Sequence, residues 1–286
     1  MKHLLRSSLL FFVSAAPGQA AFAPAASEAF QQSEGLPSAR EIVERFAAET
    51  KLKESLEKTR SMHATGRFTL TAMEINGTLE VWSAKPNRRF FSVDMGPFGK
   101  SITGFDGKTG WSTHPMLGAR LLSGSELLQT QLESGYDAAL KTSDHYESMR
   151  TVGRETFEGK DCHAVEFVAK PLEGMDPAST LAARTSREYY EIASGLLIGA
   201  VGRQESEMGD SPYTALSSDY QDFGGWLMAT KTVIRISGQE FALTIDSVEY
   251  DTATEATFAL PLEIQKLVEA ASAPAAPPAG DAPKPK

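Results

Sequence analysis

Segments in which apolar and polar residues alternate with a period of two dominate the chain from residue 65 to residue 250. Successive side chains of a β-strand point to opposite faces, so this pattern predicts strands with one buried face. In the first segment, Gly66, Phe68, Leu70 and Ala72 alternate with threonines and an arginine. Further runs cover residues 78–84, 88–95, 101–105, 109–113, 148–154, 162–168, 187–192, 196–203, 216–222, 226–236 and 240–250.

Short turn signals separate most of these segments. Asn76-Gly77 is typical of a type I′ hairpin turn, and Asp106-Gly107, Glu158-Gly159, Gly224-Gly225 and Ser237-Gly238 mark later turns. Short connections force neighbouring strands to run antiparallel. The sequence therefore predicts one meandering sheet of about ten or more strands, with longer loops at 171–186 and 204–213.

Amphipathic segments flank and interrupt the predicted strands. Ser38 and Glu41 have the spacing of a capping box, which predicts a helix over 38–58. Ser123 to Glu126 could cap a second helix that carries Leu128, Leu132, Tyr136 and Leu140 on one stripe. A short third helix is predicted over 262–268.

The two ends of the chain have compositions unlike the rest. Lys2 and Arg6 precede an apolar stretch at 9–13 and the small-residue site Gly18-Gln19-Ala20, which predicts a signal peptide over residues 1–20. Cleavage after Ala23 is the alternative. We predict a spacer over 21–37, a folded domain over 38–268 and a disordered tail rich in Ala and Pro over 269–286. An exported protein of this kind is expected in the periplasm.

Charge and cysteine content exclude several classes of function. The formal net charge of −9 disfavours nucleic acid as a partner, since binding it normally requires a basic face. Downstream of residue 20 the sequence has no apolar run long enough for a transmembrane helix, so stable membrane insertion is not expected. Cys162 is the only cysteine, which rules out an internal disulfide. We interpret it as a small buried strand residue rather than a reactive thiol or metal ligand.

A twisted sheet of this many strands rarely stays flat, and three helices cannot cover both of its faces. The prediction is therefore a mainly β (α+β) fold: one highly curved antiparallel sheet, an incomplete β-barrel. An N-terminal helix and a mid-chain helical lid cover the sheet. We place Phe68, Leu70, Leu79, Val81, Phe91 and Val93 on its inner face. Periodicity alone leaves open whether that interior is a packed core or a cavity.

Three short stretches resemble the periplasmic lipoprotein-carrier (LolA/LolB-like) superfamily. In residues 77–88 a strand runs into Lys85-Pro86-Asn87, residues 104–111 carry Asp-Gly-Lys-Thr before Trp111, and residues 256–261 resemble the family's closing segment. The order of elements over 38–268 also agrees. The resemblance implies an incomplete β-barrel whose helices close over an apolar cavity for the acyl chains of lipoproteins. Lys85 stands where the classical carrier has an arginine, and lysine lacks the bidentate fork of that side chain.

These observations together give a functional hypothesis. We expect a non-enzymatic carrier or receptor that binds a lipidated protein or lipid acyl chains, with envelope membrane proteins as further candidate partners. No catalytic motif, metal-ligand spacing or cofactor motif is evident. The alternative is an envelope interaction module with a filled core. The predicted ligand-binding residues are Phe68, Leu70, Leu79, Val81, Lys85, Phe91, Val93, Trp111, Leu128 and Leu132.

Overall fold

The computed structural model describes residues 35–141, 144–178, 180–206 and 209–272. The predicted signal peptide and the last fourteen residues of the predicted tail lie outside the described residues. The helices are α1 (Ala39–Glu49), α2 (Leu52–Lys58), α3 (Gly124–Ser134), α4 (Leu181–Arg184) and α5 (Leu262–Ser272). The strands are β1 (Ser61–Leu70), β2 (Ile75–Ala84), β3 (Arg88–Asp94), β4 (Lys100–Phe105), β5 (Gly110–His114), β6 (Gly118–Leu121), β7 (Tyr146–Phe157), β8 (Lys160–Ala169), β9 (Thr185–Glu191), β10 (Leu197–Ser206), β11 (Gly209–Phe223), β12 (Trp226–Ile236) and β13 (Gln239–Tyr250).

Within the described ranges, these thirteen strands form a single antiparallel sheet that does not close. Its order is β6-β5-β4-β3-β2-β1-β13-β12-β11-β10-β9-β8-β7. The first six strands form one meander, the last seven form another, and β13 joins the two by pairing with β1. The strands β6 and β7 are the free edges, so the predicted incomplete barrel is confirmed.

Helix α3 lies on the concave side of this sheet. It contacts β3, β4 and β5 from one arm of the sheet and β10 from the other. A helix can touch strands so far apart in the sheet order only where the sheet curves around it. The segment that links the two free edges therefore crosses the interior as the predicted lid.

The N-terminal helical segment is broken into two helices. The capping box forms as predicted, with the Ser38 side chain accepting from the Glu41 backbone N–H. Lys51 then adopts a positive φ of 54°, which ends the regular helix between α1 and α2. The buried face of α1 packs against Val165, Phe167 and Tyr190, and so covers the concave face of β8 and β9.

Several local predictions are wrong. Asn76 and Gly77 lie inside β2, and the turn is made instead by a 3-10 turn at Thr71–Met73. Gly77 is needed for packing, because a Cβ there would lie 2.1 Å from the Asp94 carbonyl oxygen. The predicted loop 204–213 is largely strand, since β10 and β11 pair as far as Ser206 and Gly209.

The lengths of two predicted helices also differ from the structure. Helix α3 ends at Ser134, so Tyr136 lies beyond it and Leu140 belongs to a separate 3-10 turn. Helix α5 continues to Ser272, four residues past the predicted end. It contacts β6, the strand at one free edge of the sheet.

Candidate ligand-binding site

The concave face of β1, β2 and β3 carries a buried apolar layer. The strand register pairs Leu79 with Val93 on β3 and with Gly66 on β1. Phe68 is fully buried, and Leu79 and Val93 are almost so. The ring of Phe241, on β13, stacks on Phe68 with 6.1 Å between centroids. The structure thus brings the predicted residues Phe68, Leu70, Leu79 and Val93 into one cluster.

Beside this layer, the same face carries apolar side chains that are only half-buried. Val81 and Phe91 are directly paired across β2 and β3 and pack against the buried layer. Strands β12 and β13 contribute Ile234, Leu243 and Ile245 in the same way. These side chains remain partly accessible although they lie on the inner face of the sheet. An apolar wall with residual accessibility is the arrangement that a hydrophobic ligand could contact.

Helix α3 packs against the inner face of the sheet with its leucine side chains, opposite a glycine of β5. Leu128 is buried and Leu132 is half-buried, so both predicted lid residues are partly or fully covered. Gly110 on β5 makes the close approach possible, because a Cβ there would lie 2.6 Å from Leu127 Cδ1. Because Gly110 has no side chain, α3 can lie directly on β5.

Two arginines of the inner face hold α3 in place. Arg120 on β6 donates two hydrogen bonds, of 2.6 and 2.8 Å, to the carboxylate oxygens of Glu126 in the first turn of α3. Arg89 on β3 donates to the carboxylate of Glu133 near the end of the helix. The pair of Arg120 and Glu126 is mostly buried, which strengthens it relative to an exposed pair. Both ends of the lid are therefore tied to the first arm of the sheet.

Lys85 lies at the edge of the site, between α2 and the segment after α3. Its ammonium group donates to the carbonyl oxygen of Leu56 in α2 and lies 5.7 Å from the centroid of the Tyr136 ring. Tyr136 in turn donates its backbone N–H to the Pro86 carbonyl at 3.0 Å. Lys85 thus contacts the lid segment through an aromatic face, and it does not line the apolar wall.

Trp111 occupies the convex face. It pairs with Gly104, and a Cβ at Gly104 would lie 2.4 Å from the indole ring. The inner face at this level is formed by the neighbouring residues Thr103 and Phe105, because side chains alternate. Of the ten predicted site residues, Trp111 therefore lies away from the concave wall.

Sequence reasoning missed a polar cluster in the concave interior near α1. Lys141 lies 2.8 Å from the Glu188 carboxylate on β9, and the Tyr190 hydroxyl donates to the same carboxylate at 2.6 Å. Burial by itself would lower the pKa of Lys141, but the charges and hydrogen bonds of Glu188 and Tyr146 together outweigh burial, so the net pKa is raised. Burial also raises the pKa of Tyr190 well above its ordinary value. The only signal in the sequence was Glu188 within an alternating strand, which gives no hint of a partner 47 positions away.

Two clefts lie outside the apolar wall. One of about 240 Å³ lies between α1 and β8–β9, lined by Arg45, His163 and Glu191 among others. The other, of about 160 Å³, lies between α2 and the turn at Gly224-Gly225, lined by Lys51, Lys58 and Tyr250 among others. Neither cleft includes a predicted ligand-binding residue.

Cysteine and histidine, which act as catalytic groups in many enzymes, are placed here on different faces of the sheet. Cys162 is buried on the convex side with Ala164, and burial raises the pKa of its thiol. His163 faces the other side, toward the cleft beside α1. Within the described part of the chain, no group of three or more His, Cys, Asp or Glu side chains is arranged to hold a metal ion.

Comparison with known proteins gives matches to solved structures alone. No family model matches the sequence, and no curated protein matches it. A LolA superfamily protein from Nitrosomonas europaea superimposes with a TM-score of 0.51 at 12% identity, covering 79% of this chain and 99% of that chain. The fold is LolA-like. A DUF1329 family protein from Desulfovibrio piger has the same TM-score at 14% identity, covering 77% of this chain and 95% of that chain.

The two superpositions extend over more than three quarters of this chain. At identities this low, the likeness concerns the fold and carries no ligand with it. Among the described residues, no helix is both long and apolar enough to cross a membrane.

Proposed function

We propose that this protein is an envelope carrier or receptor that binds the acyl chains of a lipidated protein or a lipid between its concave apolar wall and α3. The observation that carries the proposal is the half-buried apolar wall around Val81 and Phe91, on the inner face of a LolA-like sheet beneath a tied helix. The predicted signal peptide over residues 1–20 supports a periplasmic location.

The physical need for such a wall comes from the cost of exposing hydrocarbon to water. Each methylene of an acyl chain contributes about 0.8 kcal/mol when it is removed from water. Several half-exposed aliphatic and aromatic side chains on one concave surface can supply this shielding without any specific polar group. The wall also loses its own contact with water when a chain binds, which adds to the driving force.

Ligand binding is expected to displace α3. Helix α3 contacts β3 on the concave side, so an acyl chain that enters between this helix and the wall has to push the helix away. The helix buries few of its own side chains, namely Leu128 and Ser134, and Arg120 and Arg89 hold its two ends. Movement of α3 away from Gly110 would uncover the wall while the sheet stays intact.

Binding of a fluorescent long-chain fatty acid to the purified protein tests the proposal. Val81→Glu places a charge on the concave wall at a half-buried position and should weaken binding by at least about tenfold, since a carboxylate there would be desolvated by the ligand. Thr78→Glu is the matched control, because it adds the same charge on the same strand at an exposed position on the convex face. It should bind like the wild type.

Two results would contradict the proposal. The wild-type protein could fail to bind the probe, or the two glutamate variants could bind it equally well. Mass spectrometry of the native protein after export would add an independent measurement, because a carrier should co-purify with acylated material. Failure in both experiments would leave the interaction module with a filled core, for which the density of packing around Phe68 and Leu79 already provides a physical basis.

A further inference from the structure

Exposed apolar side chains are concentrated at one end of the first meander. In an antiparallel meander, alternate turns lie at the same end of the sheet, so the β1–β2, β3–β4 and β5–β6 turns are neighbours. They carry Met73, Phe98, Met116 and Leu117, which are between 41% and 57% exposed. We refer to these four side chains as the apolar rim. Among the described residues, only Leu181 and Leu262 are other large hydrophobic side chains of comparable exposure.

The turns at the opposite end of the same strands have a different character. The β2–β3 turn is Lys85-Pro86-Asn87 and the β4–β5 turn contains Asp106 and Lys108. Isolated exposed hydrophobic residues are normal on a protein surface, but four of the six large ones among the described residues lie in turns at one end of a single meander. The asymmetry indicates that the apolar end meets a different environment.

Two of the three turns that carry the rim are in contact with each other. The β3–β4 and β5–β6 turns touch, because a Cβ at Gly99 would lie 2.6 Å from Cγ of Pro115. The β3–β4 turn also adjoins β2, where Gly77 packs against Asp94 and Met95. Between Gly96 and Gly99, and between Pro115 and Gly118, the sequence contains no charged residue. These two tips can therefore enter an apolar medium without desolvating a charge.

We propose that the apolar rim docks on the surface of a phospholipid bilayer. Four side chains of roughly 200 Å² each, about half exposed, present on the order of 400 Å². A standard protein interface needs about 800 Å² from each partner, so the rim is too small for a stable protein complex. Insertion of a few apolar side chains into the boundary between headgroups and acyl chains needs no larger area.

The net charge of the chain favours membrane attachment by apolar insertion over attachment by attraction to anionic headgroups. With a formal charge of −9, the protein has no general attraction to anionic headgroups, so the contact rests on apolar insertion. Binding should therefore occur on neutral vesicles and should persist at high salt, because salt screens charge interactions and leaves apolar insertion intact. This inference is independent of acyl-chain binding by the concave wall.

Co-flotation with vesicles of pure phosphatidylcholine at high salt tests the proposal, with protein purified after export. The wild type should float with the vesicles. A variant with Phe98→Ser, Met116→Ser and Leu117→Ser should partition at least about tenfold less, because it loses most of the rim's apolar area. Leu262→Ser is the matched control, since it removes a side chain that is 66% exposed and lies on α5, away from the rim. It should float like the wild type.

A labelled variant gives a measurement that does not depend on the triple variant folding. Leu117→Cys carries an environment-sensitive fluorophore on the rim, whereas the natural Cys162 is fully buried and should not react. Its emission should rise and shift to shorter wavelength on vesicle addition, and that of a Leu262→Cys label should not. A wild-type protein that stays with the aqueous fraction, or a Leu117 label that does not respond, overturns the proposal. Val81→Glu should float normally, which separates this result from failure of the concave site.

Discussion

Lys141 and Glu188 show how a single pair of residues fixes the lid segment to the second arm of the sheet. Lys141 follows the 3-10 turn Ala138–Leu140, after α3, and has a positive φ of 50°. Its ammonium group meets Glu188 at 2.8 Å and lies 5.4 Å from the centroid of the Phe167 ring. The side chains of Lys141 and Glu188 are 19% and 9% exposed. Each charge has lost most of its contact with water on burial, and the attraction of the other charge compensates for that loss.

Removal of one partner should therefore be costly. We expect Lys141→Met to lower the free energy of unfolding by about 3 kcal/mol, because it leaves Glu188 buried without its counter-charge. Urea unfolding at neutral pH measures the change. Lys100→Met is the control, since Lys100 pairs with Glu80 at 3.7 Å in a more exposed position and should cost less than about 1 kcal/mol. Equal losses in the two variants would contradict the role assigned to the buried pair.

Helices α3 and α5 pack against different parts of the open sheet. Helix α3 occupies the concave interior, where the arginines at positions 89 and 120 hold its ends. Helix α5 lies against β6, a four-residue strand at a free edge. A short edge strand with a helix packed against it disfavours pairing with a second sheet, which is the usual hazard of an exposed edge strand.

Loosening the two ties of α3 should change its local stability without unfolding the sheet. The double variant Arg89→Ala and Arg120→Ala should speed amide hydrogen exchange in α3 by about tenfold or more, since each charged hydrogen bond contributes roughly 1.5 kcal/mol. Exchange in β1 and β13 should stay unchanged. Arg67→Ala, which removes an exposed pair with Asp246 on the convex face, is the control and should leave α3 as it is. If exchange in α3 is the same in all three proteins, the ties do not hold the helix.

The packing of α5 gives a second prediction for an element. Ile264 is fully buried, so Ile264→Ala should cost about 2 to 4 kcal/mol of unfolding free energy. Leu262→Ala, on the same helix but 66% exposed, should change stability by less than about 0.5 kcal/mol. Thermal unfolding of the two variants side by side measures the difference. A similar effect from both would mean that α5 is not docked through Ile264.

Several tyrosine side chains of the curved sheet are largely buried, and this affects how the stability of the protein depends on pH. Burial raises the pKa of Tyr213 and of Tyr250 to about 12, and it raises those of Tyr190 and Tyr220 as well. Each is neutral in the folded protein at a pH where the unfolded chain already ionises near 10. The unfolded state therefore binds fewer protons in this window, so stability falls as the pH rises from about 10 toward 12.

The alkaline loss should become smaller when one of these groups is removed. Tyr213→Phe should unfold like the wild type at pH 8, and at pH 11 it should have lost about 1 kcal/mol less stability than the wild type. Urea unfolding of both proteins at the two pH values provides the comparison. An identical loss in both proteins at pH 11 would show that Tyr213 ionises equally in the folded and unfolded states.

Local patterns in the sequence predict the class of fold and which side chains share one face of the strands. A period of two places Phe68, Leu79 and Val93 on one side wherever one face is buried, because a slip of one residue would expose all of them. Short turns made the sheet antiparallel, and the capping box placed the start of α1. The capping box and the turn at Glu158-Gly159 were correct because both depend on neighbouring residues alone.

Contacts between distant segments could not be predicted from local patterns. The pairing of β1 with β13, the burial of Lys141 against Glu188 and the outward position of Trp111 all join residues or faces that no local pattern relates. The turn at Asn76-Gly77 failed for the same reason, since Gly77 is required by its contact with β3 rather than by a local bend. Local propensity is set within a few residues, whereas cross-strand register and the position of α3 depend on how the whole sheet curves around its interior.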